Sequence, residues 1–513
     1  MKDKVTDIET DGMPYELPKG WVWTNIEAVS EKISNGITRR QNKDGKGIPV
    51  TRIETISDGR INLKKVGYLD NLDSEIIEKY KLLLGDILFS HINSDLHLGK
   101  TAICRPSNKT LLHGMNLLLI RLCRDVINPD FFNYLCNYYR FSGFFMPIAQ
   151  HAVNQSSINQ TRLKKISISL PPLPEQYRIV DKIEELFTKL DAGIVSLKKV
   201  QAQLKQYRQA VLKSAVEGKL TAEWRALHKD ELEPASVLLE RIRKEKSKDA
   251  KYAGRLIDDD KQDTTADLPD LPDGWVWAKV GEISTVKGGK RLPKGHNYSD
   301  EPTDYPYIRV TDFDSMAVNI EQIRFLKQET QRLISRYTIS KDDLYISIAG
   351  SIGKIGTIPQ QLDGANLTEN AAKIAEIEGF DRKFLCYFLN SSIGQEQIGS
   401  LVVSSNQPKL ALFRIEKIDV PLPSLLEQQR TVEEIESRLS IADEVEAVIN
   451  AELKRAERLR QSILKQAFSG KLVSQDPNDE PASVLLERIK REKGKSDNQK
   501  RNQKGNARQM KLL

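Results

Sequence analysis

No proline interrupts the chain between Pro174 and Pro234. Apolar or small residues recur there at Ile179, Ile183, Leu186, Leu190, Gly193, Leu197, Val200, Leu204, Tyr207 and Val211. The steps alternate 4 and 3, which predicts a helix over residues 175–216 with a coiled-coil seam along one face. At 1.5 Å per residue it is a rod of ~63 Å. A second stretch repeats the pattern less cleanly. Ile435, Ala442, Val445, Ile449, Ala456, Leu459 and Ile463 hold its seam, and Arg438 and Glu452 interrupt it. One such stretch could be an amphipathic helix lying on its own globule. Two of similar length favour pairing with each other, antiparallel.

Each rod follows a region of different texture. Short β-like runs such as GIPVTRI, GDILFS and NLLLIRL alternate with Gly, Asn and Asp punctuation, and helical stretches (PDFFNYLCNYYRF, DRKFLCYFLN) are interleaved. This predicts a mixed α+β globule. Prolines at 171, 172 and 174, and at 421 and 423, make a stiff exit into each rod.

The whole arrangement is written twice. LPKGWVW (17–23) returns as LPDGWVW (271–277), and GDILFS (85–90) has its counterpart in DDLYIS (342–347). The segment from Asn154 to LPPLPEQ matches the one from Asn406 to LPSLLEQ, and QAVLKSAVEGKL (209–220) matches QSILKQAFSGKL (461–472). The decamer EPASVLLERI is identical at 233–242 and 480–489. A tandem duplication of about 250 residues, too long for a solenoid repeat, predicts a pseudo-two-fold dumbbell within one chain.

Charge narrows the partners less than it first suggests. Residues 488–513 hold ten Lys/Arg against two Asp/Glu, so that tail carries +8 of a net +7 and the remainder is near −1. Nucleic-acid binding must therefore rest on local patches; the tail itself is either a solubilising end or a loose phosphate attractor. Cys104, Cys123, Cys136 and Cys386 form no CxxC pair, which fits a reducing compartment and disfavours zinc. No stretch approaches 18 apolar residues and the N-terminus lacks an apolar core, so a cytoplasmic protein is expected.

The sequence offers no catalytic motif. SDLHLGKT (94–101) and GSIGKIGT (350–357) both fail the phosphate-loop pattern, and turn formation explains their glycines. His91 and His97 are spaced for no metal pair. No catalytic residue and no metal ligand is assigned.

Binding signals are present in both halves. A basic, glycine-rich loop follows each GWVW segment, with Arg39, Arg40, Lys43 and Lys46 in the first and Lys287, Lys290, Arg291 and Lys294 in the second. Such loops suit phosphates and guanine edges. Near the end of each globule an amide-rich loop offers Asn154 and Gln155, or Asn406 and Gln407, to adenine edges. The plainer alternative is that the cations are solvated and the amides are turn formers.

Two divergent globules, each opened by GWVW and closed by a proline-rich EQ segment, with long helices ending in EGKL and SGKL, resemble the specificity subunit of type I restriction-modification enzymes. The resemblance spans residues 17–481. It implies target recognition domains at 1–170 and 268–422. Helical spacers follow at 171–226 and 423–475, and decamer-bearing segments at 227–267 and 476–513. It further implies a non-catalytic DNA-recognition subunit whose globules each read one half of an asymmetric, bipartite double-stranded site. The helices would set the gap and dock two modification subunits, with restriction-translocase subunits joining the complex. S-adenosylmethionine, ATP and Mg would belong to those partners. The decamers, through an apolar stripe of Val237, Leu238 and Ile242 and its copy Val484, Leu485 and Ile489, are expected to meet the two modification subunits; the competing reading is recent duplication without drift. The alternative for the whole chain is a coiled-coil adaptor whose globules bind proteins.

Overall fold

The computed structural model describes residues 16–57, 59–105, 109–153, 155–248, 268–403, 408–489 and 491. The chain divides into two compact units. One holds the described residues of Met1–Ser196 and Ala451–Leu513, the other those of Leu197–Asn450. Each contains one globule, one part of each long helix and one copy of the decamer.

The globules share a topology. In the first unit a four-stranded antiparallel sheet runs in the order Ser30–Asn35, Leu118–Leu122, Ile87–Phe89, Thr101–Ile103. In the second the order is Thr285–Gly288, Ala371–Ala375, Leu344–Ser347, Ile355–Thr357. The GDILFS and DDLYIS segments supply the third strand of each sheet. The acid directly before the first apolar residue of each segment is buried and paired: Asp86 with Arg121 at 2.7 Å, Asp343 with Lys373 at 2.9 Å. The predicted helical stretches form Pro129–Phe141 and Arg382–Asn390, with Asn128 and Asp381 capping their first-turn amides. The second globule adds a five-stranded sheet with its own small core around Ile308, Phe313 and Tyr345. Among the described residues the GWVW strand pairs with the strand that leads into the proline-rich exit, Val22 opposite Leu170 and Val276 opposite Leu422.

The two rods are helices of 44 residues each, Leu173–Val216 and Leu425–Phe468. They run antiparallel in both units. In the second, Gln201 meets Asn450 at 3.3 Å, Arg208 meets Glu446 at 2.7 Å, and Val211, Leu212 and Ala215 pack on Ile435. In the first, Arg460 pairs with Asp191 and lies 4.4 Å over the Phe187 ring.

The seam departs from the expected one at alternate positions. Ile183, Ile435, Ile449 and Ile463 are buried, and Leu186, Leu190, Leu197 and Leu204 are half-buried. Val445 and Leu459, expected in the seam, are exposed, as are Gly193, Val200 and Tyr207. Their sequence neighbours take those places: Ile194, Gln201 and Arg208 on the first helix; Glu446 and Arg460 on the second. The 4–3 alternation survives, but at Gln201, Arg208, Glu446 and Arg460 it runs through polar side chains that bury their stems and pair across the helices. The second seam is also not broken at Arg438 and Glu452, because it passes through Leu439 and Leu453 beside them.

The decamers correct another expectation. Leu238 and Ile242 are buried in the core of the second unit, and Leu485 and Ile489 in that of the first; only Val237 and Val484 are exposed, each by nearly half. The stripe faces the chain's own globule because residues 235, 238, 239 and 242 share one helical face. Each copy docks on the turn preceding a GWVW strand. Ala235 N–H donates to Gly274 O at 3.1 Å, and Ala482 N–H to Gly20 O at 3.0 Å. The first copy thus serves the second globule and the second copy the first.

One buried histidine ties the first unit to pH. His113 is fully buried, its Nε2 lies 3.1 Å from Leu117 O, and its Nδ1 finds no partner. Burial pushes its pKa down to about 4. The native state therefore binds this proton less readily than the unfolded chain, whose imidazole titrates near 6.5. Stability is full above that value and falls as the pH drops from 6.5 to about 4, by on the order of 3 kcal/mol from this group. Urea unfolding at pH 7 and pH 4 is expected to show this loss, and His113→Gln to lessen it; an equal loss in the variant would assign it elsewhere.

Candidate nucleic-acid interface

Both basic loops start where a strand of the main sheet ends against a neighbouring backbone. A side chain on Gly36 would strike the carbonyl of Gly114, and one on Gly289 that of Thr368, so glycine is required at both exits. Arg39, Arg40 and Lys43 lie exposed beyond the strand Ser30–Asn35. The second loop is more constrained. Lys287, expected in the loop, lies instead in the strand Thr285–Gly288, exposed but bonded to Glu376 at 2.5 Å, and Arg291 lies 3.4 Å from Glu369. Lys290 sits 5.5 Å from the Tyr337 ring centroid, and Lys294 is exposed. Opposite charge already satisfies part of this cluster, so its cations are less available to a polyanion than those of the first.

The amide-rich segments come to the same edge. In the first globule Gln150–Ala152 and Gln155–Ser157 form a hairpin that pairs with Ile92–Asn93, just after the GDILFS strand. Gln155 is exposed, and Val153 at the tip is 92% exposed. The hairpin is pinned by a polar cluster that the sequence pattern did not reveal. Ser156 is buried, its hydroxyl donates to the Asp95 carboxylate, and it lies 2.8 Å from His151 Nδ1. In the second globule Leu410 N–H donates to Ile348 O at 3.0 Å, just after the DDLYIS strand. Asn154, Asn406 and Gln407 lie outside the described residues.

The short helix after each amide-rich segment closes the arrangement. Gln160 Nε2 donates to Ile33 O on the strand leading into the first basic loop. Leu412 packs against Gly288 at the root of the second. In each unit, then, the roots of the basic loop and of the amide-rich segment share one edge of the globule. That edge offers exposed cations in both units and, in the first, the exposed Gln155 amide, donors that duplex phosphates and base edges accept. Among the described residues, no group of three or more His, Cys, Asp or Glu is placed to hold a metal ion.

The family model for the type I restriction modification DNA specificity domain matches residues 18–205 and again 272–455. The chain belongs to that family. Each match takes in one globule and most of the helix that follows it, so the family domain occurs once in each duplicated unit. A putative type I restriction enzyme MjaX specificity subunit of Methanocaldococcus jannaschii is 29% identical over 463 residues, covering 89% of this chain and 95% of that protein. The EcoBI specificity subunit of Escherichia coli is 26% identical over 498 residues, 94% of either chain. A solved chain from work on complex assembly and conformational transition of the type I R-M system has a TM-score of 0.65 at 19% identity. It covers 89% of this chain and all of that one, a likeness of fold.

Proposed function

We propose that this specificity-family chain is the DNA-reading, non-catalytic subunit of a type I restriction-modification complex. Each globule reads one half of a bipartite double-stranded site, and the paired helices set the unread gap. The observation that carries this is the recurrence of one sheet topology with unlike loops at the same edge. One scaffold presenting two chemistries suits two different half-sites, hence an asymmetric target.

Two copies of one modification subunit dock on repeated surface. Ser236, Val237, Glu240 and Arg241 are exposed on the first decamer and recur, exposed, as Ser483, Val484, Glu487 and Arg488 on the second. The docking face is thus the outer side of each decamer helix rather than the Leu238/Ile242 stripe. S-adenosylmethionine, ATP and Mg are held by the modification and restriction-translocase partners. The chain acts in the cytoplasm, where its substrate DNA is; no described helix is long and apolar enough to cross a membrane.

The test is DNA binding by the chain assembled with its modification subunits. A sequence-specific shift that weakens steeply with salt is expected. Equal affinity for all duplexes, or binding only to protein partners, would favour the adaptor reading.

A further inference from the structure

The Glu–Gln pair that opens each long helix has no part in DNA reading or subunit docking as proposed, yet all four side chains are buried. In the first unit Trp21 Nε1–H donates to Glu175 at 3.1 Å. Gln176 Oε1 accepts from Asn128 N–H at 2.8 Å, and its Nε2 donates to Val126 O and Pro171 O, both at 3.0 Å. In the second unit Trp275 Nε1–H donates to Glu427 at 2.8 Å. Gln428 Oε1 accepts from Asp381 N–H at 2.5 Å, and its Nε2 donates to Gly379 O at 3.4 Å and Pro423 O at 3.0 Å.

The two joints match atom for atom. In each, the indole comes from the GWVW segment. The backbone N–H belongs to the residue capping the globule's amphipathic helix, and one carbonyl lies two residues before that cap. The other carbonyl belongs to the proline five residues upstream. A helix needs none of this to begin, since an exposed cap suffices. Burying a carboxylate costs free energy; burial pushes the Glu175 carboxyl up, while the Trp21 N–H opposes the shift. The second unit adds Thr221 Oγ1 on Glu427 at 2.8 Å, with Arg225 at 3.5 Å.

The geometry points to Glu175–Gln176 and Glu427–Gln428 as positioning residues: each pair fixes the angle at which its globule leaves its own helix, and so the gap length the complex accepts. This rests on the bipartite reading of the target. Three points of attachment on one helical turn leave the globule no axis about which to swing. A globule held at only one or two of them samples neighbouring registers along the duplex.

The test compares methylation by complete complexes across targets whose gap is lengthened or shortened by one base pair. Gln428→Leu is expected to raise methylation of off-length sites relative to the native length by about tenfold, the worth of one or two buried hydrogen bonds. The half-site sequences should stay unchanged. Trp275→Phe, which removes only the indole donor, is expected to shift the ratio the same way by less, and it carries the test should Gln428→Leu fail to fold. Leu389→Ala, buried at the far end of the helix that Asp381 caps and making none of the joint's hydrogen bonds, should lower stability without changing the ratio. Gap selectivity unchanged in both joint variants, or changed equally by Leu389→Ala, would overturn the inference. A wild-type complex that methylates an uninterrupted site would instead overturn the bipartite reading itself.

Discussion

Leu485→Asp is expected to destabilise the first unit by about 4 kcal/mol or more and to release the C-terminal helix from its globule. Leu485 is 6% exposed and packs in one cluster with Trp21, Phe131 and Phe468. Truncating such a side chain to alanine costs about 2–5 kcal/mol. A carboxylate in its place must also be desolvated or drive the helix out. Leu238→Asp should do the same to the second unit, where Leu238 is 1% exposed. Val484→Asp provides the contrast. Val484 is 48% exposed, so stability should change within about 0.5 kcal/mol while co-purification of the modification subunit weakens. Urea unfolding followed by tryptophan fluorescence, with a pull-down of the partner, separates the two effects. Native stability in Leu485→Asp would remove the docking of the decamer on its own globule.

Replacing Arg39, Arg40 and Lys43 together by Gln is expected to lower the affinity of the assembled complex for its target on the order of 10–100-fold at moderate salt. The slope of log affinity against log salt should shrink by about 1 for each phosphate that is no longer neutralised. All three side chains are exposed on one loop, so the fold should be unaffected. Lys287→Gln should cost less, because Lys287 is already bonded to Glu376. An unchanged salt slope in the triple variant, measured by filter binding, would take this loop out of the interface.

Repetition made the architecture legible in the sequence. Two globules, two long helices and their antiparallel pairing follow from LPxGWVW, the EQ segments and the 4–3 apolar steps, since each pattern has a direct periodic or positional meaning. The seam was legible only where it is apolar. At Gln201, Arg208, Glu446 and Arg460 the seam residue is polar and its partner lies on the other helix, so no reading along one strand of sequence could find it. Apolar neighbours such as Val200 and Val445 drew the assignment one position aside. The decamer misled for a related reason. Its stripe marks an amphipathic helix, but periodicity does not say whether the covering surface is a partner or the chain's own core. The EQ pairs were visible as a motif, while their function depends on carbonyls and amides whose positions are set by the fold.

The central claim, that two unlike globules on one scaffold each read half of a divided site, is tested most directly by exchanging one of them. A chain whose second globule is replaced by that of a relative, assembled with the same modification subunits, should methylate new genomic positions. Mapping those positions should show one half-site unchanged, the other replaced and the gap length retained. Alteration of both half-sites together, or a site without a gap, would contradict it.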